Sequence, residues 1–237
     1  MNEKGKVYMV PMNLGAAETS VFLPPYVLEK IRSIRYFVAE NAKTARHYFL
    51  TLGMKEFLPE ITIWQLDKHN AGFDCAACFD VLKNGSDLGV ISEAGCPGVA
   101  DPGAGVAMSA HKAGFEVVPL VGPSSILLSL MASGLNGQSF AFNGYLPVKN
   151  PERTKTVKKL EELSFRNNQT QIFIETPYRN DAFVETLCGT LSPSTLLCVA
   201  CDLTLPTEFV RTQTAAEWKK QKLSFDKRPA IFLILKK

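Results

Sequence analysis

The sequence predicts an α/β protein built from two tandem α/β domains, with a mainly parallel sheet in the first and a mixed sheet in the second. Three observations lead to this prediction. Short β-rich runs alternate with helical patterns in the first part of the chain, strand-like runs follow one another later, and the charge balance changes near Lys149. A length of 237 residues suits one large domain or two smaller ones.

The elements of the first domain follow from the alternation of the two periodicities. Strands separated by helical crossovers predict a parallel sheet that helices cover on both faces. The predicted strands are 7–12, 36–39, 61–66, 88–92 and 116–120, and the predicted helices are 25–35, 42–52, 73–83, 105–113 and 125–132.

The second domain has a different pattern, because several strand-like runs follow one another without a long crossover. This order predicts a mixed sheet. The predicted helices are 151–163, 180–188 and a short one near 215–220, and the predicted strands are 170–175, 196–201, 208–212 and 230–235.

The charge distribution supports the division. Residues 1–148 contain 11 basic and 13 acidic side chains, a net −2, whereas 149–237 contain 15 and 10, a net +5. Pro147 and Pro151 flank the change, and prolines favour a linker. We therefore predict domains at 1–147 and 148–237. The total of +3 does not by itself indicate nucleic acid, and 46% hydrophobic residues exclude a disordered chain.

One uncharged stretch, 117–148, invites comparison with a membrane span. Glycine, proline and asparagine interrupt it, and a span needs about 20 apolar residues in one helix. We expect a buried helix between two buried strands instead, and no membrane partner. The N-terminal residues lack the apolar run of a signal peptide, so we expect a cytoplasmic protein.

The six cysteines include two pairs with CxxC spacing, Cys75/Cys78 and Cys198/Cys201. Two such pairs form a zinc site in some proteins. Here the first lies in a helical pattern and the second in a strand, where side chains three apart point to opposite faces. We expect structural thiols. The three histidines show no metal-ligand spacing to one another, so no metal site is predicted.

Two loops after predicted strands carry the candidate binding groups, because ligands of parallel sheets bind beyond the carboxyl ends of strands. The loop at 92–103 combines glycines and prolines with the carboxylates of Glu93 and Asp101. In the loop at 121–125, Ser124 or Ser125 can cap the next helix and leave N–H groups for a ligand. Plain turns and a plain cap are the alternatives. The pairing of the loops favours a site.

Several common site motifs do not occur. The sequence has no G-x-G-x-x-G after the first strand, no P-loop and no G-x-S-x-G elbow. One polar cluster, Asp67-Lys68-His69-Asn70, follows a predicted strand and stays a candidate.

The two loops resemble those of a known family. VISEAGCPGVADPG at 90–103 and VVPLVGPSS at 117–125 are similar to the tetrapyrrole methylase superfamily of S-adenosylmethionine-dependent methyltransferases. Within it the chain most resembles the ribosomal RNA small subunit methyltransferase I branch, which methylates a cytidine 2′-hydroxyl. Further similar segments follow in order along nearly the whole chain: LDKHN at 66–70, FNGYLPVK at 142–149, IETPYR at 174–179, DLT at 202–204, Glu208 and the last strand.

The resemblance implies a two-domain, usually homodimeric enzyme that holds S-adenosylmethionine in a cleft between its domains. It also implies a ribosomal RNA or small ribosomal subunit as partner. Carried over by motif, the donor contacts are Met12, Val99, Ala100, Asp101, Ala104, Ser124, Ser125, Glu175, Thr176 and Pro229. A hydroxyl nucleophile also needs a proton acceptor or strong orientation, and the residues alone do not identify that catalytic group.

Three segments depart from the branch, and they cluster on the acceptor side. The T-P-I-G-N-L turn is replaced by VPMNLG at 10–15, and E-D-T-R reads ENAK at 40–43. A-R-E-L-T-K reads ACDLTL at 200–205, which loses two positive charges but keeps the acid as Asp202. These changes make a paralogue with a different acceptor a serious alternative.

Three functions follow as hypotheses. The first is a ribosomal RNA methyltransferase, whose phosphate contacts would come from the basic second half, although a solvated helix face also explains that run. The second is a methyltransferase with a small-molecule or protein acceptor. The third is a donor-binding or assembly protein without catalysis. The basic residues in question are Lys149, Arg153, Lys155, Lys158 and Lys159.

Overall fold

The chain is described by a computed structural model over residues 3–15, 18–66 and 76–237. Its contacts divide it into two compact units, Met1–Ser124 and Ser125–Lys237. The predicted polar cluster at 67–70 and Cys75 lie outside the described residues.

The first unit contains a parallel sheet. Among the described residues its strand order is β3-β2-β4-β1-β5, and every pairing in it is parallel. The strands are β1 (Val7–Met9), β2 (Tyr36–Ala39), β3 (Thr62–Gln65), β4 (Leu88–Ile91) and β5 (Val117–Pro119), and the helices are α1 (Pro25–Ser33), α2 (Ala42–Thr51), α3 (Ala76–Lys83) and α4 (Ala104–Lys112).

Alternate residues of these strands enter two separate apolar clusters, because successive side chains point to opposite faces of a sheet. Val7 and Val90 join the cluster that includes Leu82 of α3, whereas Tyr8 and Ile91 join the cluster that includes Phe49 of α2. Both faces are therefore covered, as the sequence predicts.

The second unit contains a mixed sheet with the order β6-β7-β10-β8-β9. The β6–β7 pairing is parallel, and the other three pairings are antiparallel. Its elements are α5 (Ser125–Ser133), β6 (Phe140–Tyr145), α6 (Glu152–Asn167), β7 (Thr170–Ile174), α7 (Asn180–Thr190), β8 (Leu196–Cys201), β9 (Phe209–Thr214), α8 (Ala215–Trp218) and β10 (Ala230–Leu235). The predicted fold class, a parallel sheet followed by a mixed one, is confirmed.

The predicted domain boundary and the contact division differ in position. Contacts divide the chain after Ser124, because α5 packs against β8, β9 and β10 and β6 pairs with β7 of the second sheet. Division into independently folding domains at 147/148 stays a prediction.

The helix predicted to be buried in the uncharged stretch is half exposed, which corrects that expectation. Ser129 and Ser133 of α5 face inward, and each hydroxyl donates to a carbonyl of its own helix. Leu127 and Met131 are exposed, Met131 by 79%. No helix of the described residues is long and apolar enough to cross a membrane.

Three phenylalanine rings form the centre of the second unit, and they supply a stability prediction. Phe183 of α7 meets Phe232 at 5.0 Å and Phe173 at 5.7 Å between ring centroids, and all three are buried. Phe183→Ala should lower the free energy of unfolding of this unit by about 3–5 kcal/mol, since it leaves a cavity. Guanidinium unfolding followed by Trp218 fluorescence in a Trp64→Phe background measures it.

The matched control is Phe165→Ala, because Phe165 is exposed at the end of α6. Its effect should stay within about 0.5 kcal/mol. A loss below 1 kcal/mol for Phe183→Ala would contradict the assigned core.

Candidate functional site

The carboxyl ends of parallel strands gather the candidate residues of the first unit at one edge of its sheet. Backbone bonds continue the pairing past the strand ends: the Val10 N–H donates to the Val90 carbonyl, and the Leu120 N–H donates to the Met9 carbonyl. The loops that follow β1, β4 and β5 therefore begin side by side. We call residues 10–15, 92–103 and 120–124 the first-sheet edge.

The loop at 92–103 is shaped by left-handed backbone. Gly98 and Gly103 have φ of 80° and 126°, and Ala100 has φ of 63°. For a residue with a side chain, such a conformation costs about 1–3 kcal/mol and is concentrated at functional sites. The Gly98 N–H donates to the Pro102 carbonyl at 3.1 Å, which closes the turn around Ala100.

The same loop presents its predicted donor contacts to solvent. Val99, Ala100 and Ala104 are exposed, and Asp101 is partly exposed. Gly103 precedes α4 and has no side chain that could cap the helix. N–H groups in a first helical turn have no partner within their helix, so this end of α4 suits an anionic or hydrogen-bond-accepting ligand.

Three segments of the first-sheet edge are bonded to one another. The Met12 N–H donates to the Gly95 carbonyl at 2.8 Å. The Cys96 thiol donates to the Pro123 carbonyl at 3.3 Å, and burial raises the pKa of that thiol, so it stays protonated. A Cβ on Gly122 would lie 2.0 Å from Pro11. The structure thus brings Met12, the 92–103 loop and the Pro123–Ser124 segment together.

Two predicted donor contacts, Met12 and Ser125, have positions that the sequence does not show. Met12 is buried in the core cluster with Tyr48, so only its backbone lies at the edge. The Tyr48 hydroxyl donates to the Pro11 carbonyl at 2.7 Å and fixes this segment from α2. Ser125 is the first residue of α5, and the chain passes from one unit to the other between Ser124 and Ser125.

The predicted residues of the second unit meet at an edge of its own sheet. β7 and β8 run in the same direction on either side of β10, with Ile174 opposite Ile231 and Cys201 opposite Ala230. Glu175, Asp202 and Pro229 therefore lie at one edge, where the Asp202 N–H donates to the Pro229 carbonyl. We call residues 145, 175–180, 202–208 and 225–229 the second-sheet edge.

Glu175 is a buried carboxylate held by two arginines. It accepts from Arg179 at 2.5 Å and from Arg153 at 3.3 Å, and the Thr176 N–H donates to it at 2.6 Å. Burial alone would raise the pKa of Glu175, but these hydrogen bonds and charges lower it below its ordinary value. The carboxylate is charged and orients Arg179. A direct contact of Glu175 or Thr176 with the donor stays a prediction.

Arg153 also changes the interpretation of the basic helix. Its Nε donates to the Pro147 carbonyl at 2.8 Å and its guanidinium is buried, so it does not face a phosphate. The remaining cations of that group are exposed: Lys149, Lys155, Lys158 and Lys159. Of the basic residues predicted to contact phosphates, Arg153 is thus a structural residue.

Asp202 is the second buried carboxylate at the second-sheet edge. It accepts from the Arg228 Nε at 2.7 Å and from the Thr207 hydroxyl at 2.9 Å. Sequence reasoning missed Arg228, which lies 26 positions away and matches none of the family motifs quoted above. Arg228 places a guanidinium beside Asp202. At the position just before that acid, the branch motif has an arginine, whereas this chain has the buried Cys201.

The cysteines of the described residues are free thiols. Cys198 and Cys201 are buried in β8, and burial raises the pKa of Cys201 to about 12. No group of three or more potential metal ligands occurs in the described part of the chain.

Comparison with known proteins identifies relatives. No family model matches the sequence. The chain is 28% identical to ribosomal RNA small subunit methyltransferase I of Escherichia coli O157:H7, over 93% of this chain and 74% of the relative. It is 29% identical to the protein of the same name from Neisseria meningitidis serogroup B, over 90% and 69%.

A solved structure shares the fold. The crystal structure of the methyltransferase CobJ matches with a TM-score of 0.60 and 17% identity, over 98% of this chain and 94% of that one. The resemblance found in the sequence is thus confirmed. The chain is a methyltransferase that shares the fold of CobJ and is related in sequence to the ribosomal RNA small subunit methyltransferase I proteins.

Proposed function

We propose that the chain transfers a methyl group from S-adenosylmethionine to the 2′-hydroxyl of a cytidine in ribosomal RNA of the small subunit. The observation that carries this proposal is similarity over 93% of the chain to a relative named for ribosomal RNA of the small subunit, and the cytidine 2′-hydroxyl follows from the resemblance to that branch. Such a substrate would place the enzyme in the cytoplasm.

The first-sheet edge fits the donor chemically. S-adenosylmethionine has ring nitrogens and a carboxylate, which accept hydrogen bonds from N–H groups. Its ribose hydroxyls can donate hydrogen bonds to a carboxylate. The uncapped start of α4, the left-handed turn at Ala100 and the carboxylate of Asp101 offer these partners. The residues proposed to hold the donor are Met12 through its backbone, Val99, Ala100, Asp101, Ala104, Ser124, Ser125, Glu175, Thr176 and Pro229.

The work of the protein in such a reaction is positioning. The bound donor supplies a methyl group on a sulfonium, which is already labile to in-line attack. The chain's residues must hold the acceptor oxygen in line with that methyl group and exclude water. Bonds between loop segments, such as Met12 to Gly95 and Cys96 to Pro123, restrict the first-sheet edge to one geometry.

A second candidate, a methyltransferase with a small-molecule or protein acceptor, rests on the altered ACDLTL segment. Leu205 stands where the branch motif has a lysine, and it ends a loop at the second-sheet edge. Arg228 places a guanidinium beside Asp202, so the acid of the altered segment still has a cation next to it. This cation supports the RNA acceptor.

We further propose a homodimer, because α5 has an apolar outer face. Leu127 and Met131 are exposed on it, and the chain carries no charge from 117 to 148. Two copies of this face can therefore meet without repulsion between like charges.

Donor binding should depend on Asp101. Asp101→Ala should weaken binding of S-adenosylmethionine about tenfold to a hundredfold, since a hydrogen bond to a charged group contributes roughly 1.5–3 kcal/mol. Isothermal titration calorimetry measures the affinity. The control is Asp80→Ala, which removes an exposed carboxylate paired with Lys83 on α3. Unchanged affinity of the Asp101 variant would show that the donor binds elsewhere.

Methylation of ribosomal RNA should depend on the chain. Deletion of its gene should remove one 2′-O-methylated cytidine from small-subunit RNA, as mapped by mass spectrometry of nuclease fragments. The wild-type gene should restore the modification, and an Asp101→Ala gene should restore it poorly. An unchanged modification pattern, together with turnover of a small molecule or protein, would establish the second candidate.

The dimer should depend on Met131. Met131→Glu should shift the protein from dimer to monomer in sedimentation velocity, because it would place a charge in an apolar interface. Met108→Glu is the control, since Met108 is also exposed but lies on α4. A wild-type monomer at micromolar concentration would refute the dimer.

A further inference from the structure

The second-sheet edge presents two guanidinium groups on buried carboxylates. The Glu175 side chain is 3% exposed and the Arg179 side chain 40%; the Asp202 side chain is 8% exposed and the Arg228 side chain 28%. By contrast, both side chains are exposed in the surface pair of Arg166 and Glu162, by 67% and 66%. Burying a carboxylate costs free energy, because its charge loses contact with water. In both pairs the arginine is the more exposed partner.

The two arginines are presented by segments that are bonded to each other. The Asn180 side-chain amide donates to the Arg228 carbonyl at 2.7 Å and to the Phe225 carbonyl at 3.2 Å. The Lys227 N–H donates to the Pro177 carbonyl at 3.1 Å. Arg179 and Arg228 therefore belong to one surface, with fixed relative positions.

This surface also carries backbone strain and unused polar atoms. Asp202, Thr204 and Lys227 have φ of 51°, 74° and 60°, each a left-handed conformation in a residue with a side chain. The Arg179 Nε and the Thr204 hydroxyl are buried without a hydrogen-bond partner. Strain of about 1–3 kcal/mol per residue and unsatisfied donors are typical of binding surfaces.

Two exposed tyrosines lie near Arg179, one of them in the fold and the other in the chain. Tyr145 ends β6 opposite Ile174 and lies within electrostatic range of Arg179, and Tyr178 is the neighbour of Arg179 in the chain. Single-stranded nucleic acids bind to surfaces that combine cations for phosphates with aromatic rings on which unpaired bases stack.

The acidic side chains of the surface are engaged within it. Glu208 accepts from the Thr204 N–H at 2.7 Å, and Asp226 lies 3.9 Å from the Lys227 ammonium group. The surface therefore carries these two carboxylates beside the buried pairs, in which the arginine side chains stay partly exposed, by 40% for Arg179 and 28% for Arg228.

We propose that the second-sheet edge binds single-stranded RNA, with Arg179 and Arg228 on phosphates and Tyr145 and Tyr178 stacked on unpaired bases. The proposal rests on the proposed RNA acceptor and adds where the chain holds it. Glu175 and Asp202 act as positioning residues for the two arginines.

Binding of a single-stranded RNA 12-mer of mixed sequence, followed by fluorescence anisotropy over a range of salt, tests the arginines. Arg179→Gln and Arg228→Gln should each weaken binding about tenfold at low salt. Each should also reduce the slope of log affinity against log salt by roughly 1, as expected for one lost phosphate contact. Arg228→Lys keeps the charge and should retain the slope even if it lowers stability.

The control variants match the geometry of the two arginines. Arg166→Gln removes an arginine paired with a glutamate four positions away, as in Arg179 and Glu175. Arg35→Gln removes an arginine that is 28% exposed and bonded through Nε to Glu60, as Arg228 is to Asp202. Both should bind the RNA within twofold of the wild type.

The tyrosines are tested separately, because stacking does not depend on salt as phosphate contacts do. Tyr178→Leu should weaken binding of the 12-mer about fivefold to a hundredfold with an unchanged salt slope. The same substitution should weaken binding of a duplex of the same sequence less, since paired bases are not free to stack on a tyrosine. Tyr26→Leu, an exposed tyrosine on α1, is the control.

Four outcomes would overturn the proposal. Arginine variants that keep the wild-type affinity and slope would refute it, while methylation of ribosomal RNA by the wild type would leave the proposed function intact. Arginine variants that lose affinity for S-adenosylmethionine but bind the RNA as the wild type does would assign the edge to the donor. Preference for the duplex would refute the stacking role. A wild-type protein that binds no RNA at any salt would remove both this proposal and the RNA acceptor.

Discussion

The parallel pairing of β4 with both β1 and β2 is the constraint on which the first unit depends. Residues 37 and 89 meet across this pairing, and a Cβ on Gly89 would lie 2.5 Å from the Phe37 ring. The missing side chain lets Phe37 pack over β4 and against Phe49 of α2. Because the strands share one direction, every loop with candidate donor residues leaves the sheet at the same edge. Fold and site are therefore set by one arrangement.

Much of this was accessible from the sequence, for identifiable physical reasons. β2, β8 and β10 match the predicted strands residue for residue, because their apolar runs are short and end at polar or turn residues. The glycines, prolines and acidic residues of the loop at 92–103 predict turns with left-handed backbone, as found at Gly98, Ala100 and Gly103. The alternation of strand and helix periodicities predicts the fold class. These features are local, and local patterns are what a single sequence records.

What escaped prediction depends on contacts between distant residues. The apolar residues of α5 predict a buried helix, but α5 packs through Ile126, Ser129 and Ser133 and exposes Met131. An apolar sequence does not show which of its faces meets the core. The basic run predicts that Arg153 contacts a phosphate, yet Arg153 is bonded to Glu175, 22 positions away. Its charge is satisfied by a partner that helix periodicity does not reveal.

The pairing of Asp202 with Arg228 shows that a motif read along the chain does not record every charge beside its acid. Read along the chain, ACDLTL has lost an arginine next to its acid, which favours a changed acceptor. At the end of β8, however, Cys201 is buried in the sheet, and Arg228 reaches the same acid from the segment before β10. The antiparallel register of β8 and β10 brings these segments together. Charge at a binding surface therefore has to be counted by position in the fold, and by that count a guanidinium still lies beside the acid of the ACDLTL segment.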